Sequence, residues 1–270
     1  MSSIAVPYAP PAAELEGLTA RRPLPSDAPN LFVIPAYNEA ENLPRLIMDL
    51  EARPGLFPQG SRVIVVDDGS TDGTPELVAG YDGDLSLQLV RLERNEGPGA
   101  AFRAGFAAAL DACKDDALVV TLEADTTGDL DALPALIERA LAGAELVVAD
   151  WVMVNVSRLR RILTAGAARL VRRALGVEAR TVSSFFRVYR ASALRAAGDR
   201  YGDGLIRESG FACKAELLTK LAVLGARIEE VPVGLDTSLR IGESKMPILR
   251  TTFAYWRMIA RQRLAREAAA

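Results

Sequence analysis

The sequence predicts an α/β fold, a Rossmann-like and mostly parallel sheet with helices on both faces. Three observations predict it. From Leu31 onward, short apolar runs alternate with segments of helical period, the order that builds βαβ units. Three of these runs end in polar clusters, PAYNE (35–39), DDGS (67–70) and EAD (123–125), and open α/β sheets bind ligands beyond the carboxyl ends of their strands. The chain's 270 residues, 50% hydrophobic and 25% charged, suffice for one large α/β domain or two small ones.

Residues 1–29 are rich in Pro and Ala, lack periodicity and read as a loose arm. LFVIP (31–35) is a short buried strand. The helix that follows sets Leu43, Leu46, Ile47 and Leu50 on one face. RVIVVD (62–67) is the second strand, TPELVAGY a short helix and LQLVRL (87–92) the third strand. GAAFRAGFAAALDAC (99–113) is a helix of small residues that can pack closely on a sheet. ALVVTLEAD (117–125) is the fourth strand, LDALPALIERALAG a helix and AELVVAD (144–150) the fifth strand. No internal repeat is present. The main domain runs over 30–247, with halves at 30–150 and 151–247, and 248–270 forms a basic amphipathic helix.

Composition narrows the function. A net charge of −3 gives no general reason to bind nucleic acid. Cys113 and Cys213 are the two cysteines, without metal-like spacing, so a reducing compartment is expected. The chain has 0 histidines, which excludes His-based acid/base catalysis and His-ligated zinc. No apolar run reaches the roughly 18 residues of a membrane span, and no signal peptide opens the sequence. The reading is cytoplasmic.

Asp67 and Asp68 stand together at the end of a buried strand, where their charges repel. A carboxylate there can accept hydrogen bonds from a nucleobase or hold a hard cation, and the Gly/Ser/Thr turn after it can hold an anion. Helix capping is the other reading for Ser70, Thr71 or Asp72, but capping needs no doublet. Glu123 and Asp125, at i and i+2, would share a face of an extended segment and offer oxygen ligands to a divalent cation. The alternative there is a solvated acidic turn, with Thr127 or Asp129 capping the next helix.

PAYNEAENL, VVDDGSTDGT, NEGPGAAFRAG (95–105) and the acidic pair occur in that order. Together they resemble family 2 glycosyltransferases, with their nucleotide-sugar-binding GT-A fold. GARIEEVPVGL (225–235) followed by RIGESK (240–245) is similar to the polyprenol-phosphate mannose and glucose synthases of that family. The resemblance spans about 31 to 247. It implies that Pro35, Tyr37 and Glu39 frame the base and ribose and that Asp67 reads the base edge, with Asp68 beside it. It places Asn95 and Gly97 against the nucleotide. It sets Glu123, Ala124 and Asp125 at the diphosphate, with Glu123 and Asp125 holding Mg²⁺ or Mn²⁺ and Thr127 nearby. The family usually has Asp at both acidic positions; Glu123 adds a methylene and keeps the charge.

In the acceptor half, Arg180 and Ser184 of RTVSSFFRVYR and Arg240, Ser244 and Lys245 of RIGESK fall on positions that hold an acceptor phosphate in the synthases. Cations around a hydroxyl suit a phosphate oxyanion; a surface turn with scattered charges is the bland reading. Relatives usually show Asp at 181, Gly at 185 and Gly-Ser-Arg after the fifth strand. Here Thr181, Phe185 and Ala149-Asp150-Trp151 stand there. Residues 156–176 form a basic amphipathic helix, and 248–266 interleave Phe253, Tyr255 and Trp256 with Arg. Both suit an anionic membrane surface, or else a core-packed helix with a solvated basic face.

The expectation is a metal-dependent, inverting enzyme that moves mannose or glucose from a nucleotide sugar to a polyprenyl phosphate at the cytosolic membrane face. A partner protein would supply any membrane anchor. A phosphate monoester is largely ionised near pH 7, so it needs no general base, in keeping with the missing histidine. A hydroxyl acceptor would need one, such as Asp150, Asp203 or Glu208; Glu216 reads as a polar-network residue. A non-catalytic nucleotide-sugar-binding protein is a further alternative. A nucleotidyltransferase would need a Gly-rich, basic loop after the first strand, and a dinucleotide dehydrogenase a G-x-G-x-x-G there. Neither is present.

Overall fold

A computed structural model describes residues 23–154, 166, 169, 181–182, 184–236, 241 and 248–267. Seven strands form one sheet in the order β3-β2-β1-β4-β6-β5-β7. They are β1 (Asn30–Ala36), β2 (Arg62–Asp67), β3 (Leu87–Arg91), β4 (Leu118–Thr121), β5 (Leu146–Val154), β6 (Arg187–Arg190) and β7 (Ile228–Asp236). The described α-helices are α1 (Leu43–Glu51), α2 (Thr74–Ala79), α3 (Pro98–Ala112), α4 (Leu133–Leu141), α5 (Ala191–Tyr201), α6 (Cys213–Val223) and α7 (Ile248–Glu267).

The period-2 pleat divides each central strand between two cores. Leu31, Val33, Ile64 and Val66 face a cluster with Phe102 and Phe106 of α3 and Leu217, Leu218 and Leu221 of α6. Phe32, Ile34, Val63 and Val65 face the opposite cluster, with Leu43, Leu46, Ile47 and Leu50 of α1 and Leu133 and Leu136 of α4. Each such side chain contributes about 1.5–3 kcal/mol on burial. The small residues of α3 permit close approach: a Cβ on Gly105 would lie 2.3 Å from Val33 Cγ1. The sheet is therefore covered on both faces, as the alternation of strands and helices requires.

Three expectations need correcting or extending, and one open alternative is decided. The sheet is not built from β1 to β5 alone, since β6 enters antiparallel between β4 and β5, and β7 pairs with β5 in parallel over its length. RVYR hides β6 because both arginines are buried and their guanidinium groups donate to backbone carbonyls, although Arg187 Nε has no partner among the described residues. Arg187 Nη1 donates to Lys214 O at 2.8 Å and Nη2 to Val182 O at 3.1 Å. Arg190 Nε and Nη2 donate to Ala140 O at 2.9 and 2.8 Å, closing the C-terminus of α4. Secondly, β4 ends at Thr121, so Glu123 and Asp125 lie in a turn beyond the strand.

Thirdly, the end of the N-terminal arm is docked, with Leu24 N donating to Leu141 O at 2.8 Å and Ala28 buried; residues 1–22 lie outside the described residues. Fourthly, α7 takes the core-packed alternative on its inner face. Ala254, Tyr255, Met258 and Ile259 are buried in the cluster of α3 and α6. Arg257 and Arg261 pair with the buried Glu208 at 2.5 and 3.3 Å. Phe253 and Trp256 stay exposed on the other side. The expected helix at 156–176 lies outside the described residues apart from the exposed Gly166 and Arg169.

Candidate active site at the carboxyl edge of the sheet

The turns after β1 and β2 are knitted together backbone to side chain. Asn38 N donates to Ser70 Oγ at 2.8 Å, Glu39 N to Thr74 Oγ1 at 2.9 Å and Ala40 N to Asp72 Oδ2 at 2.9 Å. In return, Thr71 N donates to Asn38 Oδ1 at 2.9 Å. Asn38 has φ +52°, a left-handed conformation that Asn tolerates better than most residues. The capping alternative is thus divided. Asp72 accepts from Thr74 N at 3.1 Å at the start of α2, whereas Ser70 serves the neighbouring turn. Asp72 is exposed; partial desolvation raises its pKa, but hydrogen bonds from Thr74 and Ala40 outweigh that and hold it below the ordinary 3.8.

The carboxylate doublet separates into two tasks. Asp67 is fully buried; its Oδ1 accepts from Ser70 N at 3.0 Å. Its Oδ2 has Arg91 Nε at 3.5 Å, a Coulombic contact, and takes no hydrogen bond among the described residues. Asp68 turns the other way. Its two oxygens accept from Glu96 N and Gly97 N, both at 2.8 Å, which fixes the loop before α3. Burial pushes its carboxyl pKa up, against the lowering effect of those two N–H groups. Pro35, Tyr37 and Glu39 are half-buried along the first turn, and Asn95 is exposed. Gly97 has φ +90°, and a Cβ there would stand 2.6 Å from Ser209 O. The backbone of residues 208–209 therefore closes over the start of α3 and accepts from Gly99 N at 2.7 Å.

The acidic turn is built on Thr126, at φ +57°. Asp125 is buried, and its Oδ1 accepts from Thr127 N at 3.1 Å and Thr127 Oγ1 at 2.8 Å. Asp129 accepts from Asp131 N at 3.0 Å, so it caps the short 3₁₀ turn before α4. Glu123 is half-buried, and its side chain has no hydrogen-bond or ion-pair partner among the described residues. It lines a cavity of about 10 Å³ with Thr126, Gly128 and Trp151. Ala124 is buried in the core cluster. Among the described residues no three acidic or thiol groups converge. Two carboxylates in an all-oxygen set nevertheless fit Mg²⁺ or Mn²⁺, which take one or two carboxylates and complete their shell with substrate phosphates and water.

On the acceptor side, Asp150 Oδ1 accepts from Thr181 Oγ1, and Thr181 N donates to Glu230 Oε1 at 2.8 Å. Ser184 is fully buried, with Oγ accepting from Phe186 N at 3.0 Å. That local turn, with Oγ also donating to Phe186 O at 3.3 Å, engages its hydroxyl with the backbone. Glu208 is occupied by two arginines, which removes it as a free base. Glu216 is the expected polar-network residue: it accepts from Arg207 N and Glu208 N at 2.8 Å and pairs with Lys220 at 2.6 Å. Arg180, Arg240, Ser244 and Lys245 lie outside the described residues.

The structure therefore brings the PAYNE and DDGS turns together and sets the 95–97 loop on Asp68. One residue at this edge escaped sequence reasoning. Asn42 sits inside PAYNEAENL, but its partner Ile241 is 199 residues away, so no local pattern signals the contact.

The description "Glycosyl transferase family 2" fits residues 31–198. The undecaprenyl-phosphate mannosyltransferase of Micrococcus luteus is 32% identical over 222 residues, covering 80% of this chain and 86% of that protein. The undecaprenyl-phosphate 4-deoxy-4-formamido-L-arabinose transferase of Aeromonas hydrophila is 36% identical over 161 residues, 58% of this chain and 48% of that protein. Among solved structures, glucosyl-3-phosphoglycerate synthase from Mycobacterium tuberculosis, crystallised with Mn²⁺, UDP and glucosyl-3-phosphoglycerate, aligns with a TM-score of 0.62 at 21% identity. That alignment covers 96% of this chain and 86% of the synthase, a likeness of GT-A fold.

Proposed function

Because the chain belongs to glycosyl transferase family 2 and is a GT-A glycosyltransferase, we propose that it transfers mannose or glucose, with inversion, from GDP-mannose or UDP-glucose to a polyprenyl phosphate. The observation that carries the reading is its 32% identity, over 86% of the relative's length, to an undecaprenyl-phosphate mannosyltransferase. The geometry supports it. Asp67 offers a buried carboxylate oxygen without a hydrogen bond at the strand edge where a base would lie. Pro35, Tyr37, Glu39, Asn95 and Gly97 are the proposed nucleotide contacts in the neighbouring turns.

Glu123 and Asp125 would hold the divalent cation, with Thr127 fixing the Asp125 carboxylate. When bound, such a cation supplies Lewis-acid neutralisation of the departing diphosphate. The acceptor's phosphate oxygen attacks the anomeric carbon. The new C–O bond forms as the bond to the diphosphate oxygen breaks, and the electron pair leaves with the nucleoside diphosphate. No proton moves, so orientation does most of the remaining work. Arg180, Arg240, Ser244 and Lys245 are the proposed phosphate ligands, and the buried Ser184 shapes their segment.

The protein then works as a peripheral enzyme at the cytosolic membrane face, where a partner would add any anchor. No helix among the described residues is long and apolar enough to cross a membrane. One observation favours a second reading with a hydroxyl acceptor: Asp150 stands at the edge, half-buried, with one oxygen engaged by Thr181. A donor screen by released nucleoside diphosphate, run with prenyl phosphate and with alcohols, tests both. Release that depends on prenyl phosphate supports the first, release that depends on an alcohol supports the second, and nucleotide binding without turnover refutes both in favour of a binding protein.

A further inference from the structure

Asn42 occupies the N-cap position of α1, where Asn ordinarily accepts a hydrogen bond from its own helix. Here its side chain makes no capping bond. It is buried, and both ends of its amide are directed elsewhere. Oδ1 accepts from Ile241 N at 3.1 Å, and Nδ2 donates to Ile241 O at 3.2 Å and to Glu39 Oε2 at 2.8 Å. The amide orientation is over-determined, because only oxygen can face an N–H and only nitrogen can face a carbonyl and a carboxylate. One side chain thus grips both backbone groups of a residue 199 positions away and, at once, the carboxylate of the donor-binding turn.

Ile241 is joined in sequence to Arg240 and precedes Ser244 and Lys245. We propose that Asn42 is a positioning residue that registers the acceptor-phosphate segment against the nucleotide-sugar turn, acting through Ile241 and Glu39. The proposal deepens the reading above and rests on it. A displacement of about 1 Å between reacting groups lowers rates by about 100-fold, so loss of this joint acts on acceptor use. Donor binding is spared, because the turn of Asn38 to Ala40 is held independently by Ser70, Thr74 and Asp72.

The test uses the full chain with its nucleotide sugar and a prenyl phosphate. Asn42→Ala should lower kcat/KM for the acceptor by about 10- to 100-fold, with nucleoside diphosphate affinity within about threefold. The Ile241 amide should exchange with solvent at least tenfold faster, while amides of β1 and β2 keep their protection. Asn42→Asp, the second variant should the first not fold, keeps an acceptor for Ile241 N but loses both donations. It should fall between Asn42→Ala and the unaltered chain in amide protection. Unchanged acceptor kinetics, or a loss of donor affinity equal to the loss of acceptor use, would overturn the proposal. A chain that transfers to no prenyl phosphate would instead defeat the functional reading, and the Ile241 amide would still report the joint by itself.

Discussion

At the scale of single residues, the same side-chain type performs different tasks according to where its oxygens point. Asp67 keeps one buried oxygen clear of hydrogen bonds, Asp68 spends both on the loop before α3, and Asp125 is steadied by Thr127. Asp125→Asn separates charge from structure, because an amide oxygen still accepts from Thr127. Its thermal midpoint should stay within a few degrees, while metal-dependent turnover falls by more than about 100-fold, the equivalent of several kcal/mol; near-normal turnover would remove Asp125 from the site. Asp72 gives a test by pH. Its folded pKa lies below the ordinary 3.8, so its ionised form stabilises the fold at all pH values above that. This contribution disappears as pH falls through the folded value. The urea midpoint of Asp72→Asn should therefore lie below that of the unaltered chain at about pH 6, and the gap should close under strongly acidic conditions. A gap that stays constant would assign the Asp72 bonds no pH-linked role.

At the scale of elements, close approach decides several positions. A Cβ on Gly99 would sit 2.0 Å from Glu208 O, backbone that cannot rotate away. Gly99→Ala should therefore destabilise the chain by about 1–3 kcal/mol or more in urea unfolding, and should loosen the junction of α3, residues 208–209 and α7 together. The elements legible in the sequence are those whose pattern is local. β1, β2 and β3 follow from short apolar runs, the face of α1 from a period of 3.6, and α3 from its small residues. β6 is hidden because its charged ends are hydrogen-bonded by carbonyls of α4 and of Lys214, distant in sequence. The turn carrying Glu123 and Asp125 was drawn into β4 because nothing in ALVVTLEAD marks the end of pairing at Thr121. The β1 and β2 edge motifs were visible as polar clusters at strand ends. What could not be read was which carboxylate serves a loop and which keeps an oxygen without a hydrogen bond among the described residues, since that depends on hydrogen bonds across 28 or more residues.

At the scale of the whole molecule, α7 has two faces with different destinations. Its inner face completes the core through Tyr255, Met258 and Ile259, and Arg257 and Arg261 share the single carboxylate of Glu208. The outer face leaves Phe253 and Trp256 at 69% and 56% exposure, one helical turn apart. The two rings form one small aromatic spot on that face, and aromatic rings favour the membrane–water interface. The lipid-linked acceptor proposed above would be taken from that surface. Replacing both with Ser should lower partition onto anionic vesicles at least tenfold, since each ring contributes about 1.5–3 kcal/mol on full burial and less at an interface. It should leave thermal stability nearly unchanged, because neither ring belongs to the core. Electrostatic attraction from basic residues elsewhere should make the binding weaken as salt rises and the Debye length shortens from about 10 Å at 0.1 M. Vesicle binding that is absent, or indifferent to both rings, would leave the core role of α7 intact and move a water-soluble acceptor ahead of a lipid phosphate.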